Sequence, residues 1–221
     1  MNVQNYEQIL KDVSEKNVQL VAVSKMKPAE NILELYNRGH KVFGENYVQE
    51  LVEKEHILPK DIEWHFLGHL QSKKVKKIAP FVHTIHAVDS IKLLNEIEKR
   101  AEENNRTINC LIQVHIAKEQ TKFGFSYSEL EEAIEQLNIK PTKFAKVIGL
   151  MGMATFTEDQ EQIRHEFNHL RHKFEKIKSE KLVNNEFFEQ ISMGMSADYK
   201  IAVEEGSTII RVGSLLFGNR S

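Results

Sequence analysis

The sequence predicts a single (β/α)8 barrel of the TIM type, with a helix ahead of its first strand. Three observations point to this fold. Eight short apolar runs are each followed by a turn and then, in most cases, by a helical pattern. Several runs are rich in β-branched residues with little polar alternation, as strands covered on both faces must be. The length of 221 residues suits one α/β unit and a sizeable core. An open, doubly wound sheet shares the alternation, which does not by itself establish closure.

The expected strands are Val18 to Ser24, Lys41 to Phe43, Ile62 to Phe66, Val82 to Ala87, Ile108 to Val114, Ala145 to Leu150, Phe187 to Ile191 and Thr208 to Val212. Helical patterns fall between them. Pro28 opens the first and Gly39 stops it, with Ile32 and Leu35 on one face. Val48, Leu51 and Val52 mark the next, and Asp89 or Ser90 caps one carrying Leu94, Ile97 and Ala101. Leu130, Ala133, Ile134 and Leu137 mark another. The longest holds Ile163, Phe167, Leu170, Phe174 and Ile177. After the eighth strand only GSLLFGNRS remains, too short for a full covering helix. The N-terminal segment, with Ile9, Leu10 and Val13 on one face, is expected to cover that gap.

Composition excludes several classes. Thirty basic residues against 32 acidic ones give a net charge of -2, without the basic excess of a general nucleic-acid binder. No run is long and apolar enough for a signal peptide or a membrane span. The single cysteine, Cys110, lies in the apolar run INCLIQV and reads as a core residue of a protein from a reducing, cytoplasmic compartment.

Chemistry in such barrels collects at the C-terminal ends of the strands. Those ends carry Lys25, the Gly44-Glu45-Asn46 turn, His65, His86, His115, Met151, Ser192 and Arg211 with Gly213 and Ser214. A lysine beside a buried strand end loses part of its hydration, which favours the neutral amine that attacks carbonyls. The ordinary alternative is a lysine reaching into solvent. After the seventh strand come Ser192, Gly194 and Ser196, and Ser196 is placed to cap the helix that follows. The loops after strands seven and eight form the common phosphate site of this fold. Arg211 sits in the apolar run TIIRV, where a charge needs a partner: an acid such as Glu189, or a ligand in the barrel mouth. A lysine amine, a phosphate cradle and an inward arginine suit a phosphorylated aldehyde.

The chain resembles the YggS/PROSC family of pyridoxal-phosphate-binding proteins, related to the barrel domain of alanine racemase. The resemblance lies in LVAVSK ending at Lys25, FGENYVQE from Phe43, WHFLGHLQSKK from Trp64, the IHAVDS and KFGF segments, GLMGMAT from Gly149, ISMGMSADY from Ile191 and IIRVGSLLFG from Ile209. It implies that pyridoxal 5'-phosphate is the cofactor and that Lys25 carries it as an aldimine. It also implies that Ser192, Gly194, Met195, Ser196, Gly213 and Ser214 surround the phosphate, and that Arg211 faces the ring nitrogen. Asn46 and His65 would lie near the ring or its approach. Two positions depart from the family pattern: Lys73 stands where the family usually has Asn, and Val114-His115 where it often has Val-Asn.

The resemblance further implies a non-catalytic carrier or buffer in intracellular cofactor homeostasis, with apo-enzymes as recipients and no nucleic-acid or membrane partner. A monomer or weak dimer is expected. An arginine at the ring nitrogen weakens the electron sink, and the sequence after the eighth strand holds no second domain of the kind that completes alanine racemase. A racemase or related enzyme of the same fold is the second reading, and a Schiff-base aldolase the third. Two further motifs are set aside. His165-Glu166-Phe167-Asn168-His169 spells the zinc-protease helix, but its histidines fall opposite the apolar stripe. Lys73, Lys74, Lys76 and Lys77 read as a solvated helix face.

Overall fold

The computed structural model describes residues 1–119, 123–139, 141–181 and 186–218. Eight parallel strands close into a barrel in the order β1 to β8. The chain runs α1 (Val3–Ser14), β1 (Gln19–Val23), α2 (Ala29–Tyr36), β2 (Val42–Glu45), α3 (Val48–Ile57), β3 (Glu63–Phe66) and α4 (Ser72–Ile78). It continues through β4 (Thr84–Val88), α5 (Ile91–Glu103), β5 (Ile108–Val114), α6 (Tyr127–Ile139), β6 (Ala145–Gly152) and α7 (Gln160–Lys176). The last elements are β7 (Gln190–Ser192), α8 (Tyr199–Glu204), β8 (Ile209–Val212) and α9 (Ser214–Phe217). Closure rests on β8 pairing with β1, Val21 opposite Arg211 and Ala22 opposite Val212.

Strand alternation divides the core in two. Outward residues such as Leu20, Ala22, Phe43, Trp64 and Phe66 pack against the helices. Inward residues Val21, Leu111, Met151 and Ile209 form a smaller cluster within the barrel, joined by Ala87. Cys110 is fully buried among the outward set, and burial pushes its thiol up. Ser90, not Asp89, caps α5, its hydroxyl accepting the Leu93 N–H at 3.2 Å.

The gap after β8 is covered as expected. Tyr6, Ile9 and Val13 of α1 are buried, whereas Leu10 is exposed. The Asn2 N–H donates to the Leu216 carbonyl at 2.8 Å, and the Asn5 amide donates to the Leu215 carbonyl at 2.8 Å. These bonds tie α1 to α9.

Several boundaries need correction. β2 runs through Gly44 and Glu45, which are strand residues and not a turn. β7 begins at Gln190, because Phe188 stacks on Phe174 of α7 at 5.1 Å before the strand starts, while Phe187 is exposed. α8 begins at Tyr199 with Asp198 at its N-cap position, so Ser196 does not cap it. No helix among the described residues is long and apolar enough to cross a membrane.

Candidate functional site

Lys25 lies two residues past β1, half-buried in a turn closed by the Lys27 N–H donating to the Ser24 carbonyl at 3.0 Å. Met26 turns the chain with φ +59, an uncommon conformation that needs outside support. That support comes from helix α3. Glu50 accepts the Met26 N–H at 2.6 Å, and Lys54 donates to the Ser24 carbonyl at 2.8 Å. Lys54 also pairs with Glu50 and Glu45, each at 2.7 Å, and the Ser24 hydroxyl donates to Glu45 at 2.6 Å. The Glu45 side chain is wholly buried, and burial pushes its carboxyl up to about 7 against the pull of the Lys54 ammonium and the Ser24 hydroxyl. Sequence reasoning missed this network. Lys54 reads as one more charged residue on a helix, and only the fold places it under the Lys25 turn.

The turns after β7 and β8 lie beside that lysine turn. Gly213 sits against the end of β1: a Cβ on it would lie 3.1 Å from the Val23 carbonyl oxygen. Its N–H donates to the Ser196 hydroxyl at 3.1 Å, which joins the two turns. Gly194 has φ +94, and a Cβ there would come within 2.5 Å of Ala202 Cβ, so only glycine fits. The half-exposed Met195 gives its N–H to Asp198 at 2.5 Å. Among the described residues, the backbone N–H groups of Ser196, Ala197, Ser214 and Leu215 donate to no atom of the chain. Successive free amides of this kind form an anion-binding concavity. A cleft of about 520 Å3 opens on their flank, lined by Ser196, Ala197 and Leu215 together with residues of α1, α7 and α8.

Arg211 points inward and is fully buried. It donates to the Ser192 hydroxyl at 2.5 Å and to the Gly152 carbonyl at 3.0 Å, while Glu189 pairs instead with Lys178. Burial lowers the guanidinium to about 10, so it stays charged at neutral pH. Ser192 also meets His86 Nδ1 at 3.0 Å, and His86 Nε2 meets His65 Nδ1 at 2.9 Å. A polar row therefore crosses the barrel interior from Arg211 on β8 to His65 on β3. His65 is not at the strand's end: its Cα pairs with Gly44 and Thr84. Burial holds both histidines neutral, His65 lowered to about 3 and His86 well below its ordinary value. Arg211 pairs with Val21, four residues before Lys25, and so lies deeper in the barrel than the lysine turn.

Asn46, directly after β2, has a buried Oδ1 with no hydrogen-bond partner. Ser214 is exposed at the rim. Of the KFGF segment, Lys122 lies outside the described residues, and Phe123 stacks on His69 at 4.1 Å. The helix motif behaves as expected. His165 and His169 are exposed on α7, His169 stacks on Tyr127 at 4.6 Å, and the buried Glu166 carboxylate accepts the Thr155 N–H and hydroxyl, each at 2.7 Å. Lys73, Lys74, Lys76 and Lys77 are all exposed on α4.

Comparison with known proteins gives the family. The family model "Alanine racemase, N-terminal domain" matches residues 3–221. The pyridoxal phosphate homeostasis protein of Aquifex aeolicus is 42% identical over 207 residues, 93% of this chain and 89% of that protein. Its counterpart in Schizosaccharomyces pombe is 37% identical over 216 residues, 96% of this chain and 89% of that protein. The structure of PipY from Synechococcus elongatus, solved with pyridoxal phosphate bound, superposes with a TM-score of 0.86 at 34% identity, covering 97% of this chain and all of that one. The chain belongs to the alanine racemase N-terminal domain family, in the branch of the pyridoxal phosphate homeostasis proteins.

Proposed function

We propose that this chain binds pyridoxal 5'-phosphate at the C-terminal mouth of the barrel and serves cofactor homeostasis as a carrier without turnover of its own. One observation carries the reading: Gly213 rests against the end of β1, so the turn bearing Lys25 and the two turns with free amides share one corner of the mouth. The donor set fits the group. Unpaired amides suit a phosphate, the half-buried amine suits an aldehyde, and a ring hydroxyl offers the donor that Asn46 Oδ1 lacks. Relatives at 37–42% identity are named for this role, and PipY binds the same cofactor.

When bound, the cofactor supplies an aldehyde that condenses with amines and a ring that withdraws electrons. The residues divide the remaining work. Lys25 is the point of covalent attachment. The amides of Ser196 and Ser214 would hold the phosphate, with Gly194, Met195 and Gly213 shaping the turns around it. Ser192 accepts from Arg211 and so fixes the guanidinium. A guanidinium charged at neutral pH would deny the cofactor's ring nitrogen a proton and so weaken the electron sink that the ring supplies. Asn46 would offer its unpartnered Oδ1 to the cofactor, and His65 would act on the site only through His86 and Ser192.

Release then needs an amine that displaces Lys25, as an apo-enzyme's active-site lysine does. Loaded protein is expected to activate an apo-enzyme faster than the same concentration of free cofactor. It is also expected to place no solvent deuterium on the α-carbon of single-enantiomer amino acids. Delivery no faster than free cofactor rejects the carrier reading. Deuterium exchange at an enzymatic rate favours a racemase-type enzyme instead.

A further inference from the structure

At the end of the barrel away from the mouth, Glu63, His65 and His83 each offer a ligand atom, and these atoms lie within 4.8 Å of one another. Glu63 opens β3 and His83 directly precedes β4, so both belong to the N-terminal rim. His65 is 1% exposed, and its Nε2 has no hydrogen-bond partner. Its ring lies parallel to that of His83, with centroids 5.6 Å apart. His83 Nδ1 meets the Thr84 hydroxyl at 2.9 Å, which leaves Nε2 as its open nitrogen. A buried nitrogen without a partner is costly and calls for an explanation.

We propose that Glu63, His65 and His83 bind a divalent transition-metal ion of the zinc class. Two imidazoles and one carboxylate make a recognised zinc donor set, with a fourth position left to solvent. Both imidazoles are braced from outside, His83 by Thr84 and His65 by His86, as metal-bound histidines usually are.

The ion fixes proton positions along the interior row. With His65 Nε2 on the metal, its proton sits on Nδ1 and is donated to His86 Nε2. His86 then carries its proton on Nδ1 and donates it to Ser192 Oγ. That oxygen accepts from His86 and from Arg211 at once, filling both lone pairs and aiming its own proton elsewhere. Without the ion, the reverse order leaves a buried N–H at His65 Nε2 with no acceptor. The metal thus selects one tautomer of a chain that ends on Arg211.

The test uses protein as purified, stripped with a chelator and titrated with Zn2+ or Co2+ against a chromophoric competitor. Wild type is expected to take up one ion saturably and to show the visible d–d absorption of four-coordinate cobalt. Glu63→Gln and His83→Ala, both at half-buried positions, should each weaken binding by more than about tenfold, since even the outer partners of metal ligands are worth 10–100-fold. Both should keep the wild-type unfolding temperature in chelator, which separates lost ligation from lost folding. His165→Ala with His169→Ala should bind as wild type does, and so should Lys25→Ala, which removes chelation by the cofactor. The proposal is overturned if wild type takes up no ion, if Glu63→Gln and His83→Ala bind unchanged, or if only the α7 histidines or Lys25 matter.

Discussion

Replacing Lys54 by methionine is expected to lower stability by about 3–5 kcal/mol, the usual cost of stripping one partner from a buried ion pair. The partner left behind is Glu45, whose side chain is wholly buried and already has one oxygen, Oε2, without a hydrogen bond. The loss should reach beyond stability. Lys54 braces the Ser24 carbonyl and orients Glu50, which in turn holds the Met26 N–H, so the turn carrying Lys25 slackens. Chemical unfolding and cofactor titration of the same variant should therefore fail together. Adding Glu45→Gln should restore most of the lost stability, because the orphaned charge is gone. A single variant as stable as wild type would remove the network from the account.

The same carboxyl gives wild type a pH dependence of known sign. Its folded-state value of about 7 lies above the ordinary 4.5, so the folded chain binds this proton more tightly than the unfolded chain. That contribution is present in full below 4.5 and is lost as pH rises through about 7. In Glu45→Gln the stability profile across this window should be flatter.

Gly194→Ala is expected to cost about 2–5 kcal/mol. The backbone at φ +94 disfavours any side chain by about 1–2 kcal/mol, and a methyl within 2.5 Å of Ala202 Cβ and 3.1 Å of Tyr199 Cα adds an overpacking cost of about 1–3 kcal/mol. Relief requires the turn after β7 to move. The Gly194 carbonyl accepts the Arg211 N–H at 3.0 Å, so that movement disturbs the arginine and the neighbouring amides together. Cofactor affinity should fall about tenfold or more, since each 1.4 kcal/mol withdrawn from the bound state is a factor of ten. Gly39→Ala is the control: its φ is +92, but nothing lies within 4 Å of the added carbon. It should show the backbone cost alone and unchanged affinity. Equal effects at the two positions would contradict a steric role for Gly194.

The sequence was most legible where side-chain pattern and geometry coincide. INCLIQV is β5 to the residue, because a strand covered on both faces leaves no polar signal to misplace its ends. The seventh strand was read too early, since aromatic residues that pack just before a strand look like the strand itself. The amine, the glycine-bearing turns and the inward arginine could be named from residue types at strand ends. What joins them could not. His86 follows the outward Ile85 and turns inward by plain alternation, but its partners Ser192 on β7 and His65 on β3 are set by the closed barrel, which no spacing announces. Ser196 looks like a helix cap, but its hydroxyl serves the Gly213 N–H from the next turn, a contact made by strand order and not by sequence distance. Lys54 and Glu45 are nine residues apart on different elements, and their pairing exists only once α3 packs on β2.

Everything functional depends on which amine holds the cofactor. Loaded protein reduced with borohydride, digested and mapped by mass spectrometry identifies it directly. The account predicts the pyridoxyl phosphate adduct on the peptide containing Lys25, and none in Lys25→Ala. An adduct confined to another lysine, such as Lys54 or one of the α4 cluster, or an undiminished adduct in Lys25→Ala, would contradict it.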